Sequence, residues 1–252
     1  MMRAIRRLAV VIACLAGLAG PASAADLMVL SAGAITAVAQ AITSDFEAAH
    51  GVKIVLRTDT TGGLVKRING GDRFDVALMT RGSLSRLAKA GFVASGSDVV
   101  LAKVGVGIKA GTPAPNIGSL AAFKATLLAA PSIAYIDPAS GGTSGIYLAN
   151  LFETLGIADA VAAKSVLVKG GLAAETLVDG RAALALQQIS EILAVPGVTL
   201  VGPLPDAVQR YTTYSGAIGA DTQQAEAARA FLATMTGPAA RATMKARGMN
   251  EP

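Results

Sequence analysis

Apolar positions along this chain switch repeatedly between two periods. Residues 27 to 31, LMVLS, form a short apolar run, and Ile35, Val38, Ile42 and Phe46 then recur every three or four residues until His50-Gly51. The run predicts a strand and the spacing a helix, with glycine as the stop. VKIVLR (52–57) is a second strand, TTGG a turn and LVKRI a short helix; FDVALM (74–79) and SLSRLAKAG (83–91) repeat the succession. Strands alternating with helices imply an α/β class with a mainly parallel sheet.

The stretch VVLAKVGVGIKAG (99–111) breaks this rhythm: it is long, β-rich and leads into Pro113 and Pro115. It reads as the chain crossing from one lobe to another. A second α/β series follows, with helices at 119–130, 145–156 and 173–180 and strands at 132–136, 165–169, 182–187 and 197–202. YTTYSGAIGA (211–220) is a second β-rich passage before two closing helices. Two crossings predict that the C-terminus returns to the first lobe, giving lobe 1 as 25–105 plus 210–252 and lobe 2 as 106–209.

The first 24 residues carry another signal. Arg3, Arg6 and Arg7 precede LAVVIACLAGLAG, and Ala22-Ser23-Ala24 fits a small-x-small cleavage site, so residues 1–24 read as a cleaved secretory signal. With 24 of the 252 residues removed, 228 remain, and loss of three arginines lowers the formal charge from +5 to +2. A nucleic-acid partner then loses its electrostatic support. The single cysteine, Cys14, leaves with the signal, which excludes disulfides, a thiol nucleophile and thiolate metal sites in the mature chain. No cofactor or metal is expected: His50 is the only histidine and sits in a helix's last turn, and the acidic residues lack calcium-loop spacing.

Ligands of open α/β sheets gather at the carboxyl ends of strands. Ser31 to Gly33, Thr60 to Gly63, Thr80 to Gly82, Ser140 to Gly145 and Gln187-Gln188 occupy those ends and could share one cleft. SGGTSG (140–145) precedes Leu148, Leu151, Phe152 and Leu155 at helical spacing, so it stands at a helix N-terminus, where free N–H groups and the dipole suit an anion. An ordinary capped turn is the bland alternative. Arg81, after the third strand, is either a solvated charge or a guanidinium facing the cleft, where it would match a carboxylate. Arg57 could join it, and Arg57, Arg67 and Arg73 each read more simply as surface residues. One of Gln187 and Gln188 should face the cleft, because a strand alternates its faces.

With SAGAITAVAQAITSDFEAAHGVKI, TTGGLVKRINGGDRFDVALM and LVDGRAALALQQISEI in place, the whole mature chain resembles the molybdate-binding-like group of type II periplasmic solute-binding proteins. The resemblance implies that fold, two α/β lobes joined by crossing strands around a ligand cleft. It also implies hydroxyl contacts to an oxyanion from the first two segments and a tyrosine from the third. Here Ala34 takes the first-loop position, with Ser31 nearby; Thr60 and Thr61 replace serines, and Gln188 replaces the tyrosine. These departures and Arg81 favour an organic di- or tricarboxylate over a metal oxyanion. SGGTSGIY, QQISE, VPGV, GPLPDAVQ and TYSGAI are similar to a subgroup that includes a periplasmic aconitate isomerase.

The expected ligand-binding set is therefore Ser31, Thr60, Thr61, Arg81, Ser140, Thr143, Ser144 and Gln188. Two functions remain open. One is a monomeric periplasmic receptor that delivers a small anionic ligand to an ABC-type transporter membrane component; the other is an aconitate isomerase working by a proton shift in the same cleft. The receptor is preferred, since anion donors are plain and no base is singled out by spacing; Tyr147 and Glu191 are the leading candidates for that role, with Asp59 and Lys169 behind them.

Overall fold

A computed structural model describes residues 26–94 and 96–252; the expected signal, residues 1–24, lies outside them. The chain runs β1 (Leu27–Ala32), α1 (Gly33–His50), β2 (Ile54–Asp59), α2 (Thr61–Asn69), β3 (Val76–Thr80), α3 (Arg81–Lys89) and the long β4 (Ser97–Lys109). It continues with α4 (Leu120–Ala129), β5 (Ile133–Ile136), α5 (Thr143–Thr154), α6 (Ala158–Ala162), β6 (Ser165–Val168), α7 (Glu175–Val178), β7 (Leu184–Gln188) and α8 (Ile189–Ile192). β8 (Val198–Pro203), β9 (Tyr211–Ile218), α9 (Ala225–Thr234) and α10 (Pro238–Ala246) complete it.

The sheet follows the order β2-β1-β3-β9-β4-β7-β5-β6, with β8 also on β4. β1 pairs in parallel with β2 and β3, and β5 with β6 and β7, as βαβ succession requires. β9 is antiparallel to both β3 and β4. The first part of β4 pairs with β9, from Ser97 to Lys103; the second, from Val104 to Lys109, pairs with β7 and β8. One strand thus serves two α/β lobes.

The buried apolar residues divide at the same place. Leu27 to Ala102 share a cluster with Tyr214, Phe231 and Met244, whereas Val104, Ile108, Phe123, Leu148 and Phe152 belong to another. In α1 the buried stripe is Ala34, Ile35, Val38, Ala39, Ile42 and Phe46, and it packs against α9 and α10 from the far end of the chain. Phe46 meets Phe231 edge-on at 5.4 Å, and His50 stacks on Phe46 at 4.3 Å. No helix among the described residues is long and apolar enough to cross a membrane.

Two local readings change. TTGG is the first turn of α2 instead of a free turn, because the Thr60 hydroxyl caps the helix by accepting from the Gly63 N–H at 2.9 Å. The residues after β7 form α8, one turn too short to show a period. α5 approaches β5 so closely that a Cβ on Gly145 would lie 2.0 Å from the Ile136 carbonyl oxygen. Gly145→Ala must therefore push α5 off β5, and urea unfolding should show a loss of about 1–3 kcal/mol; unchanged stability would contradict this packing.

Candidate functional site

Two cavities lie in the cleft between the lobes. The inner one, about 590 Å³, is bordered by the starts of α1, α2, α5 and α8; the outer one, about 620 Å³, opens beside α3 and the 210–213 segment. Thr61, Thr143, Ser144 and Gln188 border both. The lobes touch across this wall. Thr60 Oγ1 donates to the Ser140 carbonyl at 2.6 Å, the Gly62 N–H to the Gly141 carbonyl at 3.1 Å, and Ser190 Oγ to the Ala34 carbonyl at 2.8 Å.

The inner cavity combines donors with a buried acid. α1 and α5 both begin here, after Ala32 and Gly142, and neither has a side-chain cap. Their first-turn N–H groups and helix dipoles therefore favour an anion. Glu191, only 8% exposed, lies in the same cavity. Burial pushes its carboxyl up from 4.5 to about 8, against the opposing bonds from the Gln188 N–H and the Gln187 side chain. Gly33 makes room for it: a Cβ there would stand 2.4 Å from Glu191 Oε1.

Tyr214, from β9, completes this corner. Burial and the neighbouring Glu191 charge raise its phenol, while hydrogen bonds with the Thr143 and Gln188 side chains oppose that rise. It therefore remains a proton-bearing hydroxyl across the neutral pH range. Gln188 is 1% exposed, and its Oε1 has no hydrogen-bond partner; its Nε2 reaches Thr212 Oγ1 at 3.5 Å. Of the adjacent glutamines this is the cleft-facing one. Gln187 is tied to the backbone at Ala173 and Gly171.

The other expected site residues separate. Thr61, Thr143 and Ser144 border both cavities, and Thr60 borders the inner one with its hydroxyl already engaged at both ends. Ser31 and Ser140 border neither. Ser31 is fully buried beneath α1, bonded to Thr36 and Ala32, and the Ser140 hydroxyl donates to the Asp137 carbonyl at 2.7 Å. Arg81 stands at the outer cavity, but its guanidinium grips Asp98 with two bonds, which holds that carboxyl below its usual range; Asp98 also accepts from Ser215. The charge expected to meet a ligand carboxylate thus already meets a protein one.

Tyr147 is in the outer cavity, away from Glu191, with its hydroxyl donating to the Val208 carbonyl and its ring under Arg210; burial raises its phenol, and Arg210 opposes this. Asp59 borders the inner cavity and accepts from the Thr60 N–H at 2.7 Å, whereas Lys169 and Arg57 are exposed and border neither cavity. Sequence reasoning missed Tyr214, Arg86 and Arg210, since one sits in a strand pattern and two look like surface charges. Among the described residues, no three His, Cys, Asp or Glu side chains gather as metal ligands.

The family model described as bacterial extracellular solute-binding protein matches residues 27–250. An aconitate isomerase from Pseudomonas sp. is 36% identical over 214 residues, covering 82% of this chain and 80% of that protein. The periplasmic molybdate-binding protein of Azotobacter vinelandii has a similar structure, with a TM-score of 0.76 at 21% identity over 90% of this chain and all of that one. The sulfate-binding protein SubI of Mycobacterium tuberculosis H37Rv gives 0.68 at 16% identity, covering 90% and 87%. These two likenesses carry the fold.

Glu191 also makes stability pH-dependent. Its folded pKa lies above the unfolded one, so its contribution is fully present below about 4.5 and is lost as pH rises through about 8. Between pH 5 and 8, wild type should lose on the order of 1 kcal/mol per pH unit relative to Glu191→Gln. Denaturant titrations at several pH values measure this; parallel curves would show that the carboxyl is not buried.

Proposed function

This chain belongs to the bacterial extracellular solute-binding proteins, and from that premise we propose that it is a periplasmic isomerase of an unsaturated tricarboxylate of the aconitate class. The observation that carries this reading is the Glu191 carboxyl, buried in an anion-favouring cavity and raised to about 8. A receptor for anions gains nothing from an ionisable acid where its ligand sits; a proton-shift enzyme requires one. The similarity to the Pseudomonas aconitate isomerase supports the substrate class.

The chemistry follows from the substrate's symmetry. In the carboxylate form, Glu191 takes a proton from the methylene carbon; the C–H electron pair spreads over the three-carbon chain and its carboxylates. The same acid returns the proton to the other terminal carbon, so the double bond shifts and no atom is lost. Rotation within the delocalised anion selects cis or trans geometry. First-turn N–H groups of α1 and α5 stabilise the developing charge, and the Tyr214 hydroxyl adds a donor. The bodies 25–105 plus 210–252 and 106–209 open about the crossing strands to admit substrate and close to exclude water.

Glu191→Gln should lower the isomerisation rate about 100- to 10,000-fold and abolish deuterium uptake into aconitate from heavy water, while aconitate still binds. For wild type, kcat/KM should rise with pH through an apparent pKa near 8, as Glu191 loses its proton. Tight aconitate binding by wild type with neither exchange nor isomerisation would instead establish a receptor, the reading compatible with delivery to an ABC-type transporter.

A further inference from the structure

The outer cavity has the charge that the inner one lacks. Among the described residues no lysine or arginine borders the inner cavity, whereas Asp59 and Glu191 do; Arg81, Arg86 and Arg210 border the outer one, with no carboxylate among its described lining residues. Two helix N-termini supply about half a positive charge each, so a tricarboxylate held by them alone keeps roughly two negative charges unmatched. Arg81 is neutralised by Asp98. Arg86 donates only to Ser83 Oγ, at 2.9 Å, and Arg210 lies 5.9 Å from the Tyr147 ring centre; among the described residues neither is within ion-pair reach of a carboxylate. Two guanidinium groups without a carboxylate partner therefore line the outer cavity.

We infer that the outer cavity is a carboxylate subsite, in which Arg86 and Arg210 hold the terminal carboxylate farthest from the carbon that meets Glu191. This rests on the proposed isomerase reading. Gln188 supplies the join, because it borders both cavities and one end of its buried amide is unpartnered. A half-turn of that amide presents its N–H₂ group to the passing anion. Ser83 and the Tyr147 ring hold the two guanidiniums in place, and the Tyr147 hydroxyl is itself anchored on Val208. Tyr147 is thus a positioning residue for Arg210, which accounts for its place in the cleft without a catalytic role.

Calorimetry with two unreactive probes tests this. Tricarballylate is the saturated tricarboxylate, and methylsuccinate lacks one of its terminal carboxylates. Wild type should prefer tricarballylate about tenfold or more, and in R86Q/R210Q tricarballylate should weaken by at least about tenfold while methylsuccinate stays within about threefold. Both positions are exposed, so the variant should fold, and R86K and R210K, which keep charge but lose the fork, should fall between. Unchanged selectivity in the double variant, equal weakening of both probes, or no tricarballylate binding or preference in wild type would each overturn the subsite. Wild type that binds aconitate but neither isomerises it nor exchanges its protons would sink the isomerase reading while leaving probe selectivity to be measured independently.

Discussion

A single strand constrains everything else in this molecule. β4 has 13 residues, and neither lobe can complete its sheet without a part of it. Because the ladder bonds of both lobes anchor on one continuous backbone, the ends of β1, β3, β5 and β7 are brought to opposite sides of one cleft. The cleft is therefore a consequence of strand pairing. Its walls are set by backbone hydrogen bonds, which tolerate side-chain exchange, so one fold can accept many anions while the site residues vary.

The cleft's electrostatics depend on two different sources of positive character. Inside, it comes from the peptide groups that open α1 and α5, which cannot titrate and remain in place when side chains change. Outside, it comes from the guanidinium side chains of Arg81, Arg86 and Arg210. Between them, Thr61, Thr143, Ser144 and Gln188 form a neutral hydroxyl and amide wall. Placing Glu191 against the helix-dipole side satisfies two opposing demands: the carboxyl is buried deeply enough to rise to about 8, yet it faces a region that favours negative charge. A cationic partner beside it would have lowered its pKa.

The fold was largely legible in the chain. Apolar runs and recurrence every three or four residues placed the main strands and helices, α6 and α8 apart, because those patterns reflect which side of a single element meets the core. Failures were local and had causes. The four residues of α8 cannot show a period, and the Thr60 cap turned an expected turn into a helix start. Of the residues that border the cavities, Thr61, Thr143, Ser144 and Gln188 could be nominated from strand ends and helix starts, whereas no spacing singled out Glu191 among the candidate bases. Ser31 and Ser140 occupy equally suitable places in the sequence, but their hydroxyls are turned into local bonds.

By itself the sequence determined the α/β succession, the scarcity of thiol and imidazole chemistry and a helix N-terminus within residues 140–145, all of which rest on residue type and near-neighbour spacing. Tertiary structure alone decided which groups meet. Gly33 and Glu191, Thr60 and Ser140, Arg81 and Asp98, and Tyr214 and Gln188 are neighbours only in the assembled fold. Burial, which moves the Glu191 carboxyl, and pairing, which occupies Arg81, belong to the assembled environment. No periodicity encodes them, because the contacts responsible span tens to more than a hundred residues of chain.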